Sequence, residues 1–250
     1  MLKNGINEKM KLLQGNSYEL IKTIPDNSID LVVTDPPYDF LTKHKSDIYG
    51  GSGAFGKRSY HNELQTNNIV GGIDTDTILQ ELCRVMKKIN IYIWCNKDQI
   101  YKYLDFFKDV NMDLLTWHKS NPVPTCNNKY LSDTEYLLYF REGGVKIYGT
   151  YETKKKYYIT QTNKEDKEYF EHPTIKPLNI IENLILNSSK ENDIILDPFM
   201  GSGTTGVACK KHKRDFIGIE LDQHFFEIAK NRINETIIQK DFSQSEFVFD

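Results

Sequence analysis

The amino-acid sequence predicts a doubly wound α/β fold built around a mostly parallel sheet. Segments typical of strands alternate with segments that carry apolar residues at helical spacing, which is the pattern of βαβ units. The run Ile29–Thr34 is almost continuously apolar, as expected for a central strand that is covered on both faces. A chain of 250 residues suits one domain, and we expect a single domain over residues 1–250.

The elements follow in a regular order along the chain. The predicted strands are Lys11–Gln14, Ile29–Thr34, Ile91–Cys95, Met112–His118, Glu135–Arg141, Ile194–Leu196 and Phe216–Leu221. The predicted helices are Ser17–Ile24, Thr75–Lys88, Lys97–Lys108, Pro177–Ser189, a helix from the glycine turn near 203 to Lys211, and Gln223–Asn234. Pro25 closes the first helix, and Pro177 opens the fourth at a position that favours proline.

Two segments lack a strand or helix pattern. Residues 40–73 contain six of the 15 glycines, and loops of this length in compact domains are usually functional or mobile. We therefore expect a mobile loop at 40–73. Residues 142–171 are polar and rich in lysine and tyrosine, and their charges nearly cancel. We predict an insertion or a small subdomain there.

Composition excludes several classes of protein. With 39% hydrophobic and 12% aromatic residues the chain is too apolar to be disordered, yet no stretch approaches the roughly 20 apolar residues of a membrane span. The N-terminus has no apolar signal-peptide core, and the four cysteines lie far apart without a CxxC pair. We expect a cytoplasmic protein without a metal site. The net charge of -3 argues against general coating of nucleic acid but permits a local basic groove.

A glycine turn near the C-terminus indicates a nucleotide-like ligand. A buried strand leads into Asp197 and then Gly201–Gly203, and Glu220 ends the next strand, in the sequence IILDPFMGSGTTGVACKKHKRDFIGIELD. Glycines allow close backbone approach, and an acid at that strand end can accept hydrogen bonds from ribose hydroxyls. Asp197 suits a cation, such as the ammonium of an amino-acid moiety. The loop matches neither GxGxxG nor a Walker loop, so an ordinary strand–helix turn is the alternative.

The sequence DPPY follows the predicted central strand, where open α/β sheets bind ligands. The Asp35 carboxylate and the Pro36 carbonyl could accept from the N–H groups of an exocyclic base amine and free its lone pair. A fixed carboxylate would also stabilise the positive charge that develops on that nitrogen. Tyr38 offers a face on which a base could stack. A rigid β–α turn is the plain alternative, because proline with aspartate is common turn chemistry.

Four blocks together resemble the amino-methyltransferases of DNA. These are LLQGNSYELIKTIPDNSIDLVVTDPPY, WHKSNPVPTCNNKYLSDTEYLLYF, HPTIKP and DPFMGSGTT. The resemblance spans nearly the whole chain except residues 40–73, residues 142–171 and the tail, and the order of the blocks resembles the circularly permuted β class. It implies a Rossmann-like methyltransferase fold with a seven-stranded sheet, in which Glu135–Arg141 is antiparallel and Lys11–Gln14 lies beside the strand that ends at Glu220.

The resemblance also implies an activity and its residues. The expected reaction is methyl transfer from S-adenosylmethionine to adenine N6 or cytosine N4. Catalytic positions fall on Asp35, Pro36, Pro37 and Tyr38. Cofactor positions fall on Asn16, His172, Thr174, Lys176, Asp197, Phe199, Gly201, Ser202, Gly203, Thr204, Glu220 and Leu221. Family members often carry Asp in place of Asn16. Because an amide oxygen can still accept from the cofactor's adenine amine, we expect weakened binding.

We expect adenine N6 as the target, because a first-position Asp goes mostly with adenine in the resembling family. Cytosine N4 remains open, as do a non-catalytic module that binds S-adenosylmethionine or DNA and an RNA or protein methyltransferase. The expected partner is double-stranded DNA, with residues 40–73 facing DNA and 142–171 reading the target. A homodimer through the apolar helix faces near Ile78–Met86 and Tyr101–Phe107, where these faces are not buried against the sheet, is a further possibility, as is a paired restriction enzyme.

Smaller signals concern contacts with DNA. The positive charges expected near the DNA backbone are those of Lys43, Lys45, Lys57 and Arg58. The run Lys154–Lys156 is either a phosphate contact or a solvated face. Trp117 and the pair Asn121–Pro122 could frame a flipped base, and for Trp117 the alternative is plain core packing. We expect His172 to form structural hydrogen bonds rather than to transfer a proton.

Overall fold

The computed structural model of the chain describes residues 9–38, 73–122, 124, 128, 130–162 and 175–238. Its strands are β1 (Met10–Gln14), β2 (Leu31–Thr34), β3 (Asn90–Cys95), β4 (Asn111–Lys119), β5 (Thr134–Arg141), β6 (Tyr157–Thr160), β7 (Ile194–Asp197) and β8 (Asp215–Glu220). Its α-helices are α1 (Ser17–Leu20), α2 (Thr75–Val85), α3 (Ile100–Phe106), α4 (Leu178–Ser188), α5 (Thr204–Lys211) and α6 (Gln223–Glu235).

The strands form one sheet in the order β1-β8-β7-β2-β3-β5-β4-β6. All neighbouring pairs are parallel except those of β5, which runs antiparallel to both β3 and β4. The doubly wound fold and the antiparallel strand at Glu135–Arg141 are therefore confirmed.

The prediction of seven strands is corrected to eight within the described residues. The additional strand, β6, lies in the segment 142–171 and pairs in parallel with β4, from Thr116 opposite Tyr157 to Lys119 opposite Thr160. It is a four-residue edge strand in which Tyr157 and Ile159 are exposed while Tyr158 and Thr160 are partly buried. Such a short strand, with its apolar residues toward solvent, gives no hydrophobic pattern by which to recognise it.

The N-terminal strand lies at the opposite edge of the sheet. β1 pairs in parallel with β8, from Met10 opposite Phe216 to Gln14 opposite Glu220. The first strand of the chain thus lies beside the last strand and extends the sheet at that edge. This is the arrangement that the circularly permuted order predicts, and it brings the end of β1 beside the end of β8.

Helices cover both faces of the sheet and change sides at its centre. The core on one face includes residues of α4, α5 and α6 together with Leu31 and Val33 of β2. The core on the other face includes residues of α2 and α3 together with Val32. β7 continues through α5 to β8 in one direction, whereas β2 continues through α2 to β3 in the other. This switch between β7 and β2 opens a crevice at the carboxyl ends of the strands, where such folds bind ligands.

The first predicted helix, Ser17–Ile24, divides into α1 and a 3-10 turn, Ile21–Thr23. Strand β2 begins at Leu31, and Ile29 forms an isolated bridge with Met86 instead. Among the described helices, none is both long enough and apolar enough to cross a bilayer.

The apolar faces of α2 and α3 are not free to form a dimer contact, which corrects the surface expected for one. The apolar residues of these faces are buried against the sheet within a single chain: Ile78, Leu79, Leu82, Val85, Met86, Tyr103 and Phe107. Within the range 101–107 that was expected to form the contact, Tyr101 is the large hydrophobic residue that is exposed, at 75%. A contact with a second copy must therefore use another surface.

Candidate active site

The carboxyl ends of four adjacent parallel strands meet at one edge of the sheet. In sheet order these are the ends of β1, β8, β7 and β2. They carry, in the same order, Gly15–Asn16, Glu220, Asp197–Gly203 and Asp35–Tyr38. The glycine loop and DPPY follow directly neighbouring strands, so these two predicted sites form one crevice.

The loop after β7, residues 198–203, requires glycine for two different reasons. Gly201 and Gly203 have φ angles of 51° and 82°, in the left-handed region that glycine adopts without strain. A Cβ atom on Gly203 would also lie 2.8 Å from the Cβ of Ala229 on α6. The later glycine, Gly206, packs α5 closely, since a Cβ there would lie 2.4 Å from Ile233 Cδ1.

Glu220 closes the glycine loop onto the end of β8. Its Oε2 accepts a 2.8 Å hydrogen bond from the Gly201 N–H, and its Oε1 accepts one of 2.8 Å from the Asp222 N–H. Burial raises the pKa of Glu220 despite these hydrogen bonds. Each oxygen keeps a second lone pair, so the carboxylate can accept from further hydroxyl groups.

Asp197 lies in the interior of the same loop. Its Oδ2 accepts from the Thr205 hydroxyl at 2.7 Å, and its Oδ1 accepts from the Phe199 N–H at 3.2 Å. Its side chain is buried, and this burial raises its pKa to about 7. These contacts make Asp197 an anchor of the loop. Its role toward an ammonium group stays a prediction.

An arginine that the sequence did not indicate holds the loop from α6. Arg232 Nη1 donates to the Ser202 carbonyl at 2.6 Å and lies 2.9 Å from Ser202 Oγ, with Thr204 Oγ1 at 3.4 Å. Ser202 and Thr204, both predicted cofactor residues, are buried. Their side chains therefore serve at least to fix the loop.

Three further predicted cofactor residues, Asn16, Phe199 and Leu221, lie at the same edge. Asn16 is exposed and caps α1, its Oδ1 accepting from the Tyr18 N–H at 2.9 Å. Phe199 packs partly against the core, whereas Leu221 is 51% exposed. His172 and Thr174 lie outside the described residues, as do Lys43, Lys45, Lys57 and Arg58.

The DPPY segment presents two acceptors. Asp35 Oδ2 accepts from the Lys176 ammonium, whereas Asp35 Oδ1 is buried and has no hydrogen-bond partner among the described residues. The Pro37 carbonyl accepts from Gln99 Nε2 at 3.2 Å, which fixes the turn. The segment therefore offers a carboxylate oxygen and a carbonyl oxygen in successive residues.

Lys176 reaches this segment from just before α4, with its side chain only 8% exposed. Its Nζ lies 3.4 Å from Glu135 Oε2 and 3.4 Å from the Tyr38 hydroxyl. It also lies 5.0 Å from the ring centroid of Trp94. The sequence placed Lys176 near the cofactor, but its ammonium faces carboxylates and aromatic rings. Sequence reasoning did not single out Glu135 as a site residue.

The charges in this cluster shift one another's ionisation. Burial raises the pKa of Asp35, and Lys176 offsets part of that effect. Burial also works to lower the pKa of Lys176, but its pairs with Asp35 and Glu135 outweigh this and raise the pKa. Burial and the Asp35 charge raise the pKa of Tyr38 well above its usual value. Asp35 thus lies beside a charged lysine and a neutral tyrosine, and the charge of Lys176 favours its ionised form.

Trp117 belongs to the core. It is buried, meets Trp94 edge to face at 6.2 Å, and donates from Nε1 to Thr160 Oγ1 at 2.8 Å. Asn121 Oδ1 accepts from the Thr162 N–H at 2.6 Å. Of the two interpretations of Trp117, core packing is the one that these contacts support.

Comparisons with known proteins agree with this geometry. A family model described as DNA methylase matches residues 29–231. The type II methyltransferase M2.LlaDCHI of Lactococcus lactis subsp. cremoris is 34% identical and covers 91% of this chain and 90% of that protein. The type II methyltransferase M2.MboI of Moraxella bovis is 31% identical and covers 95% and 93%. The crystal structure of the M1.HpyAVI–SAM complex superposes with a TM-score of 0.65 at 25% identity, covering 90% of this chain and 99% of that one.

The fold and the two joined motifs define an S-adenosylmethionine-dependent methyltransferase. The chain belongs to the DNA amino-methyltransferase family, whose members act on adenine N6 or cytosine N4. It is an enzyme of DNA methylation, as the resemblance of the four sequence blocks implied.

Proposed function

We propose that the enzyme transfers a methyl group from S-adenosylmethionine to the N6 amine of an adenine flipped out of double-stranded DNA. The observation that carries this proposal is the buried, unpartnered Oδ1 of Asp35 beside the Pro36 carbonyl at the end of β2. Two acceptors in successive residues suit a group with two N–H donors, which an exocyclic base amine is.

The chemistry follows from the weakness of that amine as a nucleophile. Its lone pair is delocalised into the base, and hydrogen bonds from its two N–H groups to Asp35 and Pro36 would draw it toward tetrahedral geometry. As the nitrogen attacks, positive charge develops on it, and the fixed carboxylate stabilises that charge. Tyr38 would stack on the base.

The residues after β7 and β8 fit the cofactor. Gly201 and Gly203 leave the loop backbone open to close approach, and Glu220 keeps acceptor capacity for ribose hydroxyls. Asn16 is exposed at the end of β1, where its amide could meet the adenine amine of the cofactor. The bound cofactor supplies an electrophilic methyl group. The chain's part is to hold that group against the amine at Asp35.

Adenine is favoured over cytosine because Asp occupies the first position of the tetrapeptide, which goes mostly with adenine in this family. Sequencing of modified bases in DNA from cells that express the chain tests this choice and reports the recognition site. N6-methyladenine at a defined site supports the proposal, and N4-methylcytosine would replace it with the alternative. Absence of any modified base, with the protein folded, would favour a non-catalytic module.

We infer that residues 142–171 help to read the target, and we keep residues 1–250 as one domain. Two asparagines of α4 support the described part of this segment. Asn187 Nδ2 and Asn183 Nδ2 both donate to the Thr153 carbonyl, at 2.7 and 2.9 Å, and a Cβ on Gly149 would lie 1.8 Å from Asn187 Oδ1. A segment held in this way can present its exposed side chains to DNA in a fixed geometry.

The exposed charges of this segment are limited. Lys155 pairs with Glu152 and Lys156 pairs with Asp113, so Lys154 is the residue of the run that remains without an ion pair among the described residues. We therefore propose Lys154 as the phosphate contact of the run. Replacing a phosphate-contacting lysine should weaken binding of all sequences alike and reduce its salt dependence.

Further proposals concern assembly and cellular setting. A homodimer would add DNA-facing surface, and sedimentation at micromolar concentration tests it. A single species of about 29 kDa with full activity would exclude the dimer. A paired restriction enzyme and a cytoplasmic location fit the type II names of the relatives, and both remain proposals.

A further inference from the structure

Four charged side chains alternate in sign along the carboxyl edge of the sheet. They run from Asp35 through Lys176 and Glu135 to Lys119, whose Nζ lies 2.6 Å from Glu135 Oε1. We call this set the charge chain. Asp35 follows β2 and Lys176 precedes α4, while Glu135 and Lys119 come from the paired ends of β5 and β4. Three separate parts of the fold thus meet at the Lys176 ammonium.

All four side chains of the charge chain are largely buried, and Lys176 is the most buried of them. The side chains of Lys176, Asp35, Glu135 and Lys119 are 8%, 25%, 22% and 19% exposed. Burial of a single unpaired charge is costly, whereas two cations and two anions in alternation compensate one another. Within the described residues Lys176 is the one cation in ion-pair contact with Asp35.

The two oxygens of Asp35 differ in their contacts. Lys176 donates to Oδ2, whereas Oδ1 is buried and has no hydrogen-bond partner in the described part of the site. Lys176 itself is held in place by Glu135 and stands over the rings of Trp94 and Tyr38, at 5.0 and 5.6 Å from their centroids. The lysine is therefore restrained on several sides, as a group that orients another must be.

We propose that Lys176 is a positioning residue of methyl transfer, which keeps Asp35 ionised and turns its Oδ1 toward the target amine, and that Glu135 holds Lys176 for this purpose. The proposal rests on the proposed role of Asp35. It moves the function of Lys176 from the cofactor pocket to the catalytic carboxylate. No proton passes through Lys176, which stays an ammonium throughout.

The ionisation of Asp35 responds to every charged or titratable group packed around it. These groups come from four elements besides its own strand: Lys176 before α4, Glu135 on β5, Cys95 at the end of β3, Asp197 at the end of β7, and Tyr38 in its own turn. Of these, Lys176 alone favours the charged form through its charge. Removing its charge should therefore leave Asp35 protonated up to higher pH.

The test compares single-turnover methyl transfer by wild-type enzyme and variants over a range of pH. Lys176→Met removes the ammonium, Lys176→Arg keeps a positive charge, and the double variant Lys176→Met/Glu135→Gln also removes the anion that repels Asp35. Lys87→Met is the matched control, because it breaks an ion pair with Asp30 at a partly exposed position away from the carboxyl ends of the strands. Calorimetry of S-adenosylmethionine binding accompanies each assay.

For Lys176→Met we expect the single-turnover rate at neutral pH to fall about tenfold or more below that of wild type, and this difference should become smaller as pH rises. Cofactor affinity should stay within about threefold of wild type. The double variant should recover part of the loss near neutral pH, and Lys176→Arg should keep the wild-type pH profile. Lys87→Met should change neither rate nor profile.

The outcomes separate this proposal from the proposed function. If Lys176→Met and the double variant both keep the wild-type rate and profile, while Asp35→Ala is inactive, the positioning role is wrong and the function stands. A pH-independent loss in all Lys176 variants, with no recovery in the double variant, would likewise overturn the proposal. If Lys176→Met bound S-adenosylmethionine much more weakly while the pH profile of methyl transfer stayed unchanged, Lys176 would be a cofactor-binding residue and the positioning role would be wrong. If Asp35→Ala were active, the proposed function itself would fail.

Discussion

The backbone N–H of Gly201 donates a 2.8 Å hydrogen bond to Glu220, which joins the glycine loop after β7 to the end of β8. The same carboxylate accepts from the Asp222 N–H, so one side chain fixes the loop and the start of α6. Glu220 therefore holds the loop in one conformation, and its oxygens still have lone pairs that can accept from ribose hydroxyls.

Replacing Glu220 with Gln should weaken S-adenosylmethionine binding by about tenfold or more, because one oxygen acceptor becomes a donor that faces an N–H group. Calorimetry measures the change. Glu227→Gln on α6, which pairs with Lys230 at the surface, is the control and should bind normally. If the two variants bound S-adenosylmethionine with equal affinity, Glu220 would not be a cofactor-binding residue.

Replacing Asp35 with Asn should reduce methyl transfer by about 100-fold or more, since an amide keeps the shape of the side chain without its charge. Loss of one preorganised electrostatic partner typically costs about 3 kcal/mol in the transition state. Binding of S-adenosylmethionine should stay close to normal. Near-normal turnover in a single-turnover assay would refute the electrostatic role.

Replacing Gly203 with Ala should destabilise the protein and weaken cofactor binding together. The residue has a φ of 82°, and its added Cβ would lie 3.0 Å from the backbone Cα of Ala229. Left-handed backbone costs a non-glycine residue about 1–2 kcal/mol, before any steric effect. Thermal melting measures the stability. Gly143→Ala, where a Cβ meets no atom within 4 Å, is the control and should melt close to wild type.

The buried Asp197 should make stability depend on pH. Folding raises its pKa from 3.8 to about 7, so the folded state keeps a proton that the unfolded chain releases. Its contribution to stability therefore falls as pH rises from about 4 to about 7 and is constant above that range.

Asp197→Asn removes this titration, so the free energy of unfolding of the variant minus that of wild type should increase over the same pH range. Because one pKa unit corresponds to about 1.4 kcal/mol, the change should amount to a few kcal/mol. Chemical denaturation at a series of pH values measures it. If the difference for Asp197→Asn did not change with pH, the residue would not titrate as inferred.

The order of elements and the place of the two motifs were predictable because both depend on local pattern. β2 reads as buried on both faces from its composition alone, and prolines or glycines end β2 and β7 where the chain must turn. The alternation of strand and helix then fixes which strand ends share an edge. The position of β1 beside β8 followed from the resemblance to the permuted class.

The partners of the Asp35 carboxylate were not predictable in the same way. Asp35 and Lys176 are 141 residues apart, and no periodicity relates one to the other. Glu135 begins a predicted strand and Arg232 lies on a predicted helix, and nothing in the local sequence around either residue indicates a contact with the site. The one available signal was a lysine between Ile175 and Pro177 at the start of an apolar helix, where a buried cation needs anions from elsewhere in the fold.

The most direct test of Asp35-dependent adenine methylation uses cofactor with a deuterated methyl group. Purified enzyme is incubated with methylation-free genomic DNA, and the digested nucleosides are analysed by mass spectrometry for wild type and for Asp35→Ala. We predict deuterated methyl on deoxyadenosine with wild type and none with the variant. Deuterated methyl on deoxycytidine alone, or equal labelling of deoxyadenosine by both proteins, would contradict the assignment of Asp35 to an adenine N6 amine.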